Sequence, residues 1–425
     1  MKRDSVTLEV DSEGQDTTQQ LPMAGWLRAF GSLRIPSYRA FWWGMLAAYA
    51  GFHMQVLARS WLVFDLTGSP IALGLVTASW GLPLIFFSLF GGVIADRMAK
   101  RNLLVIAQGI SGVVSLTVAF LVATDVIALW HILGASVLSG IVFALSAPGR
   151  QALISELVER RYLLNAIALN SSGLSINRIV APTLGGFLVG FINIEGVYFV
   201  VAALYFISMI ALLRVPVARK SSPRSSSSLR DDLLAGLRYV KSSPNILTLL
   251  ILSSVIVIFA MSYQFLLPVF AVDILGVGAS GLGLLMGAVG VGALMGNLAL
   301  ASLGNFQRKG LLMMALCIVL GGALILFSLS NSLYLSLAFL LLVGVGSVGF
   351  MTLSNTIIQS GSAEEMRGRV MSLYMISWGF MPLGVLPASA LAESFGAPLV
   401  VGAGAIIMMA LTLSLLVSRP LLKSL

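Results

Sequence analysis

Arg178 carries the most demanding chemistry in the chain, because it sits in the middle of the apolar stretch 164–191. A lone cation in a low-dielectric setting is costly unless it is paired or wet, so such a residue marks a ligand or coupling site by default. At about 100° per residue on a helix, Asn170, Ser171, Asn177 and Arg178 share a face with Ala181 and Gly185. That face reads as a wall of a wet central cavity. There Arg178 would hold an anionic group of a ligand, couple to a protonation, or be satisfied structurally by carbonyls and neighbouring side chains.

His53, Gln55 and Arg59 are the polar side chains of consequence in the apolar stretch 40–64. His53 titrates in the physiological range and is either a proton site or a packing residue, while Arg59 either snorkels or pairs with Asp65. Ser262, Tyr263 and Gln264 lie beside Pro268, Asn355 and Gln359 lie in the stretch 333–359, and Ser377 and Trp378 lie in 370–392. Polar atoms in hydrocarbon must be paired or wet, so these groups are expected inside, as ligand contacts or as interhelical glue. The candidate cavity set is therefore His53, Gln55, Asn170, Asn177, Arg178, Tyr263, Gln264, Asn355 and Trp378. Apart from Glu195, next to the start of 194–214, no Asp or Glu falls inside any apolar stretch. Proton coupling would then have to use His53, a carboxylate at a helix end such as Asp65 or Asp96, or the ligand's own charge. There is no G-x-x-x-x-G-K-[ST] loop, no His-Glu-x-x-His and no convincing nucleophile and base pair, so no enzyme chemistry, metal or cofactor is expected.

The elements that position these groups are lipid-embedded rods. Of 425 residues, 58% are hydrophobic and 10% charged, whereas soluble domains average about 45–50% and 25%, so no water-facing surface can be built. A spanning helix needs about 20 apolar residues. Such stretches run 40–64, 71–95, 102–123, 127–149, 164–191 and 194–214, then 245–272, 280–303, 310–330, 333–359, 370–392 and 397–418. The expected fold is therefore all-α and membrane-embedded, with twelve helices in two six-helix bundles. The expected organisation is a tail over 1–35, a first bundle over 36–214, a linker over 215–243, a second bundle over 244–418 and a tail over 419–425. The first tail is expected to end in a surface-lying amphipathic helix carrying Trp26, Leu27, Phe30 and Leu33 with Arg28 and Arg34 opposite. The Ser-rich linker should carry another, with Leu229, Leu233, Leu234, Leu237 and Val240 at helical spacing.

Charge placement supports that count. With the first residues inside, the inward loops hold Arg97, Lys100 and Arg101, then Arg150, Arg160 and Arg161, the basic linker, Arg308 and Lys309, and Arg367 and Arg369. The outward loops hold Asp65, Asp125, Glu195, Asp273 and Glu393 and no Lys or Arg. One missed helix would invert this pattern, so an inner-membrane protein with both termini cytoplasmic is expected. The same topogenic rule accounts for the net charge of +9 without nucleic acid. A polar, mixed-charge start predicts no cleaved signal peptide. The single cysteine, Cys317, allows no intrachain disulfide and reads as a small core residue.

The two halves repeat. Pro36 and Pro244 precede the first and seventh spans at a separation of 208 residues, as Asp65 and Asp273 close them. Arg161, Ser171 and Gly173 match Arg367, Ser377 and Gly379 at a separation of 206. Duplicated bundles of this kind are a habit of transporters.

Two motifs lie in this frame. Between the second and third spans, Gly92, Asp96, Arg97, Lys100 and Arg101 combine a small residue, a carboxylate and clustered cations, which suits a latch between helices. In the fifth span, Pro182, Gly185 and Gly186 leave a helix bendable and closely packed. The first resembles the loop signature of the major facilitator superfamily, with Ala99 where that pattern has a second Gly. The second is similar to the Gly-Pro-x-x-Gly-Gly signature of its exporters, with Ala181 for the first Gly. Leu66-Thr-Gly-Ser-Pro, Asn165-Ala-Ile-Ala-Leu-Asn-Ser and Arg367-Gly-Arg-Val-Met-Ser-Leu-Tyr extend the resemblance over most of 36–418. The branch it resembles contains enterobactin exporters and macrolide-type efflux proteins, of the transmembrane secretion effector type. The Arg that some drug antiporters of this superfamily carry in the fourth span has no counterpart in Leu133 to Leu145.

The resemblance implies secondary active export of a small amphipathic molecule, a siderophore or a drug, by alternating access in a monomer, with protons as a candidate coupling ion. It assigns gating to the loop motif and bending to the fifth-span motif. An uptake permease is the alternative, and a membrane enzyme or receptor a remote one.

Overall fold

The computed structural model describes residues 31–217, 229–303 and 308–418, without the side chains of 89–97, 229–233, 378 and 416–418. The described residues are helical. Ten helices are long and apolar enough to cross a membrane by length and composition, and one of them, Arg160–Leu213, is two spans. It turns back at Asn193, whose φ of 55° breaks the helical backbone. Asn is one of the few side chains that visits positive φ readily. The helix Pro36–Thr67 is the twelfth span, with His53, Gln55 and Arg59 lowering its hydropathy below that of the others.

In chain order the elements are α1 (Pro36–Thr67), α2 (Pro70–Arg97), α3 (Lys100–Ala123), α4 (Leu129–Leu157), α5 (160–192), α6 (194–213), the linker helix α7 (Leu229–Ser242), α8 (Pro244–Ile274), α9 (Gly278–Ser302), α10 (Lys309–Ser328), α11 (Leu333–Gly361), α12 (Arg367–Phe395) and α13 (Ala397–Ser418). α1 and α8 both begin on a proline, whose fixed φ and missing N–H suit a first helical position. α1 ends at Gly68, where a φ of 59° lets its N–H reach the Phe64 carbonyl at 2.7 Å.

One expected element is corrected, and another lies largely outside the described residues. α4 runs to Leu157, not to 149, because Leu153, Ile154 and Leu157 continue the apolar spacing past Arg150 and are buried. Arg150 is therefore a helix residue and not a loop charge. The expected amphipathic segment before α1 has residues 26–30 outside the described region, and Gly31–Arg34 forms a 3-10 turn. Its Ser32 donates from N–H and Oγ to the Asn165 side chain at 3.0 and 2.7 Å.

Packing follows the duplicated plan. α1 packs on the α5/α6 pair and α2 on α4 in the first bundle, as α9 packs on α11 and α11 on α10 in the second. α7 docks on the second bundle: the Ala363 N–H donates to the Tyr239 hydroxyl at 3.0 Å, and Gly236 faces Arg369 and Leu373. α8 is the least regular span. Two π-helical turns, Ile256–Ala260 and Phe270–Ile274, flank the short α-helix Tyr263–Val269, which contains Pro268. Such turns gather at functional sites because they free backbone groups and re-aim side chains.

Candidate functional site

Each bundle has a basic end, where the loops carry Lys and Arg, and an acidic end with Asp65, Asp273 and Glu393. At the acidic end the bundles meet along two seams. In the α5–α9 seam, Gly186 and Gly283 approach so closely that a Cβ on Gly186 would stand 2.9 Å from the Gly283 Cα. Across it the Thr183 hydroxyl donates to the Gly283 carbonyl and the Ser280 hydroxyl to the Gly186 carbonyl, both at 3.3 Å. In the α2–α12 seam, Glu393 accepts from the Ser69 hydroxyl at 2.7 Å and from the Ile71 N–H at 3.2 Å. That carboxylate caps the start of α2 from the other bundle, where the helix dipole favours negative charge. Gly74 faces Ser389, and Gly81 faces Pro382, along the same seam.

Among the described residues, the cross-bundle contacts run from the acidic end to mid-span, where Gly379 of α12 faces Ile85 of α2 and Gly290 of α9 faces the Arg178 carbonyl of α5. Toward the basic end, α12 packs on α7 and α8, and the Ala166 and Leu169 carbonyls of α5 accept from Tyr38 and Trp42 of α1. The molecule is closed at its acidic end and parted toward its basic end.

Arg178 lies beyond the Gly186 seam toward the middle of α5. It is exposed, makes no ion pair among the described residues, and stands within electrostatic range of His53 on α1 and Tyr263 on α8. It thus faces the interior between the bundles. The half-buried His53 has a buried Nε2 without a hydrogen-bond partner and meets the Phe52 ring edge-on, centroids 5.2 Å apart. Tyr263 is buried, and the Gln264 amide donates to its hydroxyl at 3.4 Å. These four residues come together at mid-span.

The other members of the predicted set lie elsewhere. Asn170 is buried against α1 on the Tyr49 hydroxyl at 3.3 Å, and the buried Asn177 donates to its own helix at the Gly173 carbonyl. Gln55 accepts from the Tyr205 hydroxyl at 2.9 Å and donates to Ser115 at 3.3 Å, inside the first bundle. Asn355 is bonded to Gln359 near the basic end of α11. The Trp378 side chain is outside the described residues. Arg59 points to Ser136 at 3.5 Å and not to Asp65.

Of the loop motif, the backbone of Gly92, Asp96 and Arg97 is helical and their side chains are outside the described residues. Lys100 pairs with Glu156, and Arg101 donates to the Leu212 and Leu213 carbonyls at 3.2 and 2.6 Å. Both cations are held within the first bundle in this state. Pro182, Gly185 and Gly186 line the α1 and α9 contacts of α5, where Gly185 faces Met54.

Sequence reasoning missed two things. Glu393 was only an outward acid. Arg150 was a loop residue, although the apolar spacing after it was a legible sign of a longer helix. Its guanidinium lies 5.3 Å from the Phe143 ring centre and 5.7 Å from that of Tyr49.

A family model described as transmembrane secretion effector matches residues 27–424. The staphyloferrin A transporter of Staphylococcus aureus is 24% identical over 350 residues, 82% of this chain and 87% of that protein. The enterobactin exporter EntS of Escherichia coli is 26% identical over 352 residues, 82% and 83% of the two chains. Among solved structures, the nucleoside transporter NupG superposes with a TM-score of 0.70 at 13% identity, covering 89% of this chain and 98% of that one. A bacterial homologue of the human lysosomal transporter Spinster, inward-facing and unoccupied, gives 0.67 at 13% identity, covering 94% and 97%. At that identity the structures speak for the fold alone.

Proposed function

The chain belongs to the transmembrane secretion effector family of the major facilitator superfamily, a family of membrane transporters and not of enzymes, and from that premise we propose an exporter of a small, anionic, amphipathic molecule. The two bundles rock about the mid-span interior, exposing Arg178 to one side and then the other. The distribution of Lys and Arg supports a basic end facing the cytoplasm, with both termini on that side. The structure is then open to the cytoplasm, the state that loads cargo for export.

One observation carries this reading. Arg178 stands in the interior with no carboxylate to pair it, and every Asp and Glu of the twelve spans lies within two residues of a span end. A cation held so far from counter-charge is stabilised by an arriving anion, which supplies differential binding energy. The relatives' named cargoes, staphyloferrin A and enterobactin, support a siderophore-like ligand. Coupling to protons would use His53, a carboxylate at a helix end such as Asp65 or Asp96, or the cargo's own charge, and the working unit is a monomer.

The test is counterflow in liposomes with siderophores, macrolides and cationic dyes, with and without a pH gradient. Saturable exchange of an anionic member, with net movement out of the side bearing the basic loops, is expected. Exchange confined to cations, or net movement only in the opposite direction, overturns the reading.

A further inference from the structure

Phe52 on α1, Trp80 on α2 and Phe143 on α4 meet in the first bundle. Phe52 stacks on Phe143 with centroids 5.4 Å apart, and Trp80 lies 5.6 Å from Phe143 and 6.3 Å from Phe52. All three are half-buried, so the cluster keeps an accessible side. Arg150 extends the stack, its guanidinium over the Phe143 and Tyr49 rings. The rings take the guanidinium's flat face and leave its hydrogen-bonding edge unused. Its Nε–H is buried with no acceptor, and no carboxylate pairs it among the described residues. A planar cation with a buried, unanswered donor beside an aromatic stack is complementary to a ring that carries an anionic oxygen.

We infer that Phe52, Trp80, Phe143 and Arg150 form a cargo subsite for an aromatic acid: the ring stacks on the aromatic cluster and the anionic oxygen accepts from Arg150. This rests on the export reading and narrows it, since Arg178 alone would accept any anion. Interhelical anchoring alone would need the rings but would leave the Arg150 donor edge unanswered.

The test uses the purified full chain in lipid nanodiscs, with equilibrium binding of 2,3-dihydroxybenzoate compared with tricarballylate and with benzamide. Wild type should prefer the aryl acid over both by about tenfold or more. Arg150→Gln should lose the preference over benzamide, Arg150→Lys should keep part of it, and Phe143→Leu should lose the preference over tricarballylate while retaining anion binding. Each variant is first required to be monodisperse and to melt as the wild type does, and Arg150→Lys, which keeps the charge, serves as the second variant. Equal binding of the three probes by wild type, or an unchanged aryl-acid preference in Arg150→Gln, overturns the subsite. Counterflow separates the two claims: flux of other cargoes with no aryl-acid preference sinks the subsite alone, whereas aryl-acid binding without any flux sinks the export reading.

Discussion

At the scale of single residues, Arg178 is the group whose surroundings matter most. Its exposure to the interior and its lack of a paired carboxylate make charge and planar geometry separable by mutation. Arg178→Ala should weaken anionic cargo by about 2–5 kcal/mol, roughly 30-fold or more in apparent affinity. Arg178→Lys keeps the charge without the fork and should fall between. Radioligand binding in detergent measures both; wild-type affinity in Arg178→Ala would remove the residue from the site. The position of this cation was legible in the sequence because an ionisable group deep in an apolar stretch is anomalous on its face. The fate of its neighbours was not. A helical wheel puts Asn170 and Asn177 on one face with Arg178, but it cannot say that α1 covers that part of the face and claims Asn170 through Tyr49. Arg150 is hidden for a related reason: a charge reads as the end of an apolar stretch, whereas the helix runs on with Leu153 and Ile154 buried behind it.

At the scale of elements, the seams do what the fifth-span motif only hinted at. Gly186 and Gly283 bring two backbones into contact, which lets weak cross-bundle hydrogen bonds form and leaves no side chain to interlock against sliding. Gly283→Leu should wedge the acidic end apart. Overpacking of this kind costs about 1–3 kcal/mol, enough to shift a two-state equilibrium some 5- to 150-fold. Spin–spin distances between labels at the acidic ends of α5 and α9 should lengthen in the variant; an unchanged distribution would show that the seam tolerates bulk. Glu393 works at the same scale from the other side. Its carboxylate caps α2 across the bundle boundary, a contact that exists only while this end is shut. Glu393→Gln keeps the shape and removes the charge, weakening the closed state by about 0.5–2 kcal/mol. Thiol labelling of a cysteine in place of Ser389, which is buried in this seam against Gly74, should become faster in that variant, and a rate equal to that with Glu393 intact would count against the cap as a gate. Neither partner was readable in advance, because 324 residues separate Ser69 from Glu393 and spacing in sequence says nothing about which loops meet.

At the scale of the whole molecule, the twelve spans and their six-and-six grouping were legible because hydrocarbon thickness and backbone satisfaction fix the length of each rod. Which end would be closed was not, since both states use the same rods and differ only in rigid-body placement. The seams turn that difference into a test. Gly74 on α2 faces Ser389 on α12, a Cβ there standing 2.7 Å from the Ser389 Cβ, so a Gly74→Cys, Ser389→Cys pair can bond after a shift of about 1 Å. The native Cys317 is buried and should not compete. Oxidation should lock the acidic end closed while leaving the basic end free to bind cargo. Counterflow should then fall to background, return on reduction, and stay normal in either single variant under the same oxidant. Binding of cargo from the basic side should survive the lock, because the interior around Arg178 remains reachable. A fully crosslinked protein that still exchanges cargo would mean that the bundles need not separate at this end, and rocking about the interior would have to be abandoned.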